Sequence, residues 1–230
     1  MKISVIIPVL NEAAIINSTI SHLRGAHLKA QAFKEGVQVI VVDGSPEGST
    51  INAVSDKNAI KSLSGRGRSV QMNKGASLAT GDVLLFLHVD TELPEDGLKN
   101  ISHVMENGYE AGSFDLGIAS GKFIFRVIER AASIRSRITR IPYGDQAIFI
   151  KRECFERLSG FREIPLMEDV DLMRRLKKSG GKICIIRKRV YSSPRRWEKE
   201  GVLYCTLTNW ALVLLFYLGV SPERLKRFYR

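Results

Sequence analysis

The chain has little of what would place it outside the ordinary globular classes. Its three cysteines, Cys154, Cys184 and Cys205, are odd in number and far apart in 230 residues. They provide neither a disulfide framework nor paired metal-ligand spacing, and they read as buried free thiols of a reducing compartment. No apolar run reaches the roughly 18–20 residues that a membrane-spanning helix needs. The nearest, residues 210–220, stops after 11. The apolar run at residues 3–9 is too short for a secretory signal and lacks a small-residue cleavage site, so the expected location is cytoplasmic. Neither an internal repeat nor a low-complexity linker divides the chain. Acidic residues are scarce as well: 24 Asp and Glu against 35 Lys and Arg leave a net charge of +11. Such a surface is either simply solvated or meets anionic partners: phosphorylated substrates, nucleic acid or an acidic membrane leaflet. No nucleic-acid-reading motif accompanies the charge, so nucleic acid is not an expected partner.

What is present reads as one α/β domain. A β-rich run at 3–9 carries Pro8, and Asn11-Glu12 opens a helical stretch with Ala14, Ile15, Ile20 and Leu23 along one face. A second strand at 36–43 is closed by the turn cluster 44–50, after which a polar helix is expected through Asn58. A basic glycine loop, Gly65-Arg66-Gly67-Arg68, leads into a helix near 70–79, and a third strand begins at Val83. This alternation predicts a parallel sheet with crossover helices. Further on, strands are expected at 111–118 and 146–150 with a basic helix over 123–137 between them. A helix at 167–178 ends on Gly180-Gly181, and a short strand follows at 183–186. Residues 201–228 read as an apolar helix followed by a basic helical tail that runs to Arg230.

The candidate chemistry sits at strand ends. The buried strand from Val83 delivers His88 and Asp90 where it finishes; two residues apart on extended chain, both could approach one divalent cation. Glu12 follows strand one, Asp43 ends strand two and Asp90 ends strand three, and in a doubly wound sheet such ends converge on one crevice. The plain alternatives are turn and loop carboxylates. Arg66 and Arg68 could grip a diphosphate or form a solvated loop, and their spacing is not that of a P-loop. Glu168-Asp169 heads a helix, where acids are favoured by the macrodipole without any catalysis; the functional reading makes Asp169 a general base.

Taken in order, these pieces resemble the family 2 glycosyltransferases of GT-A fold. The matching stretches are 4–12, Val41-Val42-Asp43-Gly44-Ser45, Asn73-Lys74-Gly75 with Ala79-Thr80-Gly81-Asp82, His88-Val89-Asp90, and Glu168-Asp169 after Gly160-Phe161-Arg162. The glycine loop and Tyr143-Gly144-Asp145-Gln146 are most similar to a bacterial subgroup linked to radical-SAM or arsenosugar gene clusters. The resemblance implies a Rossmann-like, mostly parallel sheet in a domain over 1–200, with a C-terminal helical tail over 201–230. It implies that Pro8, Asn11, Glu12 and Asp43 hold the base and ribose of a nucleotide-sugar donor, most often a UDP-sugar. Arg66, Arg68, Asn73 and Arg196 would lie along the donor. Asp90, with His88, would bind Mn²⁺ or Mg²⁺; Asp169 would be the base of an inverting transfer; Gly144, Asp145, Glu168 and Trp197 would face the acceptor. The acceptor itself, a small molecule or a lipid, is left open.

Departures from the family pattern matter as much. His88 replaces the first aspartate of Asp-x-Asp, which lowers the negative charge of the metal site and favours Mn²⁺ over Mg²⁺. All four histidines (22, 27, 88 and 103) lie in the first half, so a late histidine ligand has no candidate. The alternative function is therefore a catalytically weak or inactive nucleotide-sugar-binding protein of the same fold. For the apolar tail the readings are a core helix, a homodimer helix or a peripheral contact at the inner face of the membrane.

Overall fold

The computed structural model describes residues 1–30 and 36–229; Arg230 of the basic tail lies outside the described residues. Strands β1 (Ile3–Val9) and β2 (Val37–Asp43) are apolar on both faces and almost wholly buried, as a parallel strand covered by helices on each side must be. They pair in parallel from Ile3 opposite Val37 to Val9 opposite Asp43. β3 (Ile60–Leu63) lies parallel outside β2, and β4 (Val83–Phe86) parallel on the other side of β1. The connecting helices are α1 (Ile16–Ala30), α2 (Ser49–Ala53) and α3 (Arg68–Leu78).

The second half extends this sheet. Its elements are β5 (Thr91–Glu92), α4 (Gly97–Glu106), β6 (Ala111–Ile118), α5 (Phe123–Thr139), β7 (Phe149–Lys151), α6 (Arg152–Arg157), α7 (Glu168–Lys178) and β8 (Ile183–Ser192). Helices α8 (Arg195–Glu200), α9 (Val202–Tyr217) and α10 (Pro222–Leu225) follow. The strand order is β3-β2-β1-β4-β7-β6-β8-β5. β7 runs antiparallel to both β4 and β6, β6 and β8 are parallel, and β5 closes antiparallel on β8. The chain therefore has the α/β architecture expected, with a mixed second half.

Four expectations about elements change. The helix expected through Asn58 stops at Ala53, and Ile60–Leu63 is an edge strand whose exposed residues carry no apolar alternation. The strand expected at 146–150 is a 3-10 turn at Gly144–Gln146 followed by β7. The strand expected at 183–186 runs on to Ser192. Helices α4, α6 and α8 were not anticipated, although α4 buries Leu98, Ile101, Val104 and Met105 at helical spacing.

Because side chains alternate across the sheet, the core is two layers. Ile3, Val5, Ile7, Val39 and Val41 face α1 and α4; Ile6, Ile40, Val42, Leu84 and Phe86 face α3, α6, α7 and the tail helices. Cys154 and Cys205 are buried free thiols, while Cys184 is only half-buried. The second layer explains the glycine of Asn73-Lys74-Gly75. A Cβ on Gly75 would collide with the Ile6 side chain and sit 3.2 Å from Val42, so α3 packs on β1 at a distance only glycine allows. Gly75→Ala should cost about 1–3 kcal/mol by overpacking, read as a lower midpoint in chemical denaturation; an unchanged midpoint would contradict this close approach.

Candidate active site

The ends of β1 and β2 are tied together by their loops. Asp43 is fully buried and its carboxylate accepts the backbone N–H groups of Ser45 at 2.9 Å, Thr50 at 2.8 Å and Ile51 at 3.3 Å. It thereby shapes the 44–51 turn, and it offers no exposed oxygen to a nucleotide. The turn in turn fixes the loop after β1: Ser49 donates to the Asn11 side chain and the Glu12 N–H donates to the Thr50 hydroxyl. Asn11 takes a left-handed conformation with φ 58°, and Pro8 is half-buried beside Val42. Glu12 is thus presented at the rim.

From Glu12 the site continues through a residue that sequence reasoning passed over. Arg195 places its guanidinium 3.1 Å from Glu12 and 3.9 Å from Asp90. Asp90 does not share an extended face with His88, because the Thr91 N–H donates to the His88 carbonyl and closes a turn. His88 points instead to the 3-10 turn of the second half: a Cβ on Gly144 would lie 3.1 Å from its Nε2 and 3.4 Å from an Asp169 oxygen. Burial, then the charge of Arg68, lowers the His88 pKa to about 3, so its imidazole is neutral.

Asp169 stands in the first turn of α7, which starts from Met167 at a left-handed φ of 68°. A bulky residue in that region is strained, and such strain gathers where a loop must aim a functional group. The Asp169 carboxylate accepts the Gly144 N–H at 2.5 Å and the Val170 N–H at 2.7 Å. Gln146 holds the same turn together by accepting from Tyr143 N–H and the Ser136 hydroxyl while donating to the Phe114 carbonyl. Burial pushes the neighbouring Asp145 up to about 6, opposed by Arg135 and reinforced by Asp169.

The circuit closes through arginines. Arg68 lies 3.6 Å from the buried Glu168 carboxylate, whose Oε1 has no hydrogen-bond partner among the described residues. Tyr229, from the end of the tail, accepts from Arg196 at 2.6 Å, lies under its guanidinium at 4.0 Å, and is close enough to act on Arg68. Asn73 and Trp197, like Asp43, sit differently from their expected roles, whereas Arg66 and Arg196 remain open to theirs. Asn73 exchanges two hydrogen bonds with the Phe161 backbone, so its amide pins the 160–161 loop. Trp197 packs edge-on against Phe125 in a small apolar cluster rather than facing a cleft. Arg66 is exposed on its loop. Arg196 is engaged by Glu200 and Tyr229.

No group of three or more potential metal ligands exists among the described residues. What is present still fits a cation shared with a substrate. Asp90 is a partly exposed carboxylate whose nearest cation is 3.9 Å away, and His88 is a neutral imidazole, the state that metal binding requires. A divalent ion of this kind usually completes its shell with phosphates and water.

Glu168 gives the site a signature in stability. Burial, then Asp169, pushes its pKa up to about 7 from 4.5, against the pull of Arg68. Between those values the unfolded chain has released a proton that the folded chain keeps, so stability falls as pH rises through the window. Glu168→Gln should remove that loss. Its melting temperature should exceed the wild type's at about pH 8 and match it near pH 4.5; equal differences at both pH values would contradict the raised pKa.

Comparison with known proteins bears on the fold and the family. Among solved structures, the mannosyltransferase PcManGT from Pyrobaculum calidifontis, in complex with GDP-Man and Mn²⁺, is similar with a TM-score of 0.71. Identity is 19%, over 98% of this chain and 67% of that one. S. aureus TarS 1-349 in complex with UDP-GlcNAc is similar with a TM-score of 0.63 and 18% identity, over 84% of this chain and 58% of that one. The same TarS fragment with UDP gives 0.64 and 16%, over 99% and 69%. No curated protein matches the chain. At these identities the structures share the fold, which is GT-A. Residues 4–163 match the family described as Glycosyl transferase family 2, and this chain belongs to that family.

Proposed function

We propose that the protein is an inverting glycosyltransferase that moves a sugar from a nucleotide-sugar donor, most simply a UDP-sugar, to an acceptor hydroxyl. The observation that carries this reading is the set of groups at the strand ends: Glu12, Arg195 and Asp90 follow one another by charge, His88, Gly144, Asp169, Glu168, Arg68, Tyr229 and Arg196 lie side by side, and the chain itself joins His88 to Asp90. Donor complexes of the similar structures, with GDP-Man, UDP-GlcNAc and UDP, support a nucleotide-sugar as ligand. In this reading residues 1–200 form the transferase domain and 201–230 a tail that covers it. The closer likeness to the radical-SAM-linked subgroup rests on the glycine loop and Tyr143-Gly144-Asp145-Gln146. The proposed location is cytoplasmic, with peripheral contact at the membrane.

The chemistry is one displacement. Asp169, held by two backbone N–H groups, takes the proton of the acceptor hydroxyl as that oxygen bonds to the anomeric carbon. The bond from that carbon to the diphosphate breaks, and its electron pair leaves with the nucleoside diphosphate. Arg68 and Arg196 offset the charge that develops there. Gly144 and Asp145 orient the acceptor, and Asp43 contributes by holding the loop that presents Asn11 and Glu12. Asp90, with His88, would hold Mn²⁺ or Mg²⁺, which supplies Lewis-acid stabilisation of the diphosphate.

One observation favours a second reading, a nucleotide-sugar-binding protein with little turnover. Arg195 already pairs with Glu12 and approaches Asp90, which weakens the pull of that carboxylate on a cation.

Asp169→Asn separates the two. With a panel of sugar nucleotides, wild-type turnover onto water or a supplied hydroxyl should fall at least about 100-fold in the variant, with nucleoside diphosphate affinity preserved. Retained turnover would remove Asp169 from the base role, and no wild-type turnover with any donor would favour the second reading. In calorimetric titration, Mn²⁺ should tighten binding of nucleoside diphosphate by the wild type and not by Asp90→Asn. An equal Mn²⁺ effect in both proteins would place the cation elsewhere.

A further inference from the structure

Helix α9 inverts the usual pattern of a surface helix. It contains no charged side chain, yet only Cys205 and Leu212 are buried in it. Leu203, Leu207, Trp210, Leu214 and Leu218 recur at three- and four-residue spacing and are each 61–72% exposed, so they form one apolar ridge. Tyr204 and Tyr217 flank the ridge near its two ends. A contiguous apolar row of this length on a surface marks a docking face.

The far end of the ridge opens on a groove of about 740 Å³ between α7 and the turn after α9. Its walls carry Arg162, Arg174, Arg175, Lys177 and Lys178, with Asp171 as the one carboxylate. Asp171 is already taken by Arg162 at 3.1 Å and Arg175 at 2.7 Å. Arg174 lies 4.6 Å over the Tyr217 ring and Lys177 donates to the Thr139 carbonyl. Among the described residues, Arg174, Lys177 and Lys178 therefore have no ion-pair partner. Arg224, Lys226 and Arg227 follow immediately in the tail.

We propose that α9 docks the protein on an anionic lipid bilayer, with its leucine ridge in the headgroup–acyl boundary and a lipid phosphate in the Arg174–Lys178 groove. Charge selects this occupant over a second copy of the chain. A symmetric pairing on the ridge would bring two cationic grooves, and two chains of +11, towards each other. A bilayer instead meets the apolar row with acyl chains and the cations with phosphate, and tyrosine and tryptophan suit that interface. Docking has a consequence for the site, and this part rests on the glycosyl-transfer reading. Tyr217 is close enough to Tyr143 to act on its ionisation, and Tyr143 precedes Gly144 and Asp145. The acceptor side is thereby held near the headgroups, as an acceptor hydroxyl carried by a lipid requires.

Sedimentation of the full chain with vesicles tests the docking. Vesicles of phosphatidylcholine mixed with phosphatidylglycerol should bind at least about tenfold more tightly than phosphatidylcholine alone, less so in high salt. Leu207→Glu with Leu214→Glu should abolish binding, and Arg174→Glu with Lys178→Glu should weaken it at least about tenfold. The leucine variant should keep the wild-type melting temperature and nucleotide affinity, since Leu207 and Leu214 are exposed, and the Arg174–Lys178 variant should keep its nucleotide affinity although it loses the Arg174 contact with Tyr217. Absence of wild-type binding to the mixed vesicles overturns the proposal, and so does undiminished binding by the leucine variant. A wild-type dimer that the leucine variant dissociates would make the ridge a subunit interface instead. Vesicle binding needs no nucleotide, so its failure leaves the transferase reading standing, and a failure to bind sugar nucleotides leaves the docking standing.

Discussion

The bond from the Gly144 N–H to the Asp169 carboxylate is the contact on which the site depends. It joins the first turn of α7 to the 3-10 turn before β7, and β7 is hydrogen-bonded to β4, whose end carries His88. Through this one contact a carboxylate late in the chain reaches the ends of β1, β2 and β4. Glycine suits that position, since a Cβ would press against His88 at 3.1 Å and Asp169 at 3.4 Å. Met167 and Ala147 accept left-handed conformations on either side, and Gln146 satisfies the turn from beneath. Strain in the backbone is offset by buried hydrogen bonds that leave the loops one geometry.

Charges around the crevice alternate in sign. Arg195 lies between Glu12 and Asp90, Arg68 faces Glu168, and Arg196 is held by Glu200 and Tyr229. Without such pairing the carboxylates would repel, and Glu168 already keeps its proton more tightly because of burial and Asp169. In the proposed function a diphosphate would bring negative charge to the arginines and compete with the Tyr229 hydroxyl. Charge-assisted phosphate bonds are about twice as strong as neutral ones, so that competition favours the ligand. The proposed bilayer contact gives the excess of basic residues a second use at the far end of α9, where cations without ion-pair partners among the described residues border the apolar ridge.

The parallel half of the sheet was legible because β1, β2 and β4 are continuous apolar runs bounded by glycine-rich turns. β3 was not legible, since an edge strand exposed on both faces shows no pattern. Glu12, Asp90, Arg68 and Asp169 could be singled out from strand-end and helix-start positions. Their partners Arg195 and Tyr229 could not, because they meet them only through long-range folding, and Gly144 was named for an acceptor rather than for its bond to Asp169. Asp43 and Asn73 illustrate the converse: strand-end position and family resemblance suggested ligands, while their hydrogen bonds go to backbone in turns of the protein itself. The resemblance placed Trp197 at the acceptor, while the folded chain packs it edge-on against Phe125.

The most direct test of the account is a crystal structure of the protein with a non-transferable sugar nucleotide and Mn²⁺, read for the position of the anomeric carbon. The account predicts that carbon between Asp169 and the diphosphate, with the carboxylate on the face opposite the leaving oxygen and the phosphates against Arg68 and Arg196. A sugar nucleotide bound with its diphosphate on the Asp169 side, or outside the ring of Glu12, Asp90 and Asp169 altogether, would contradict it.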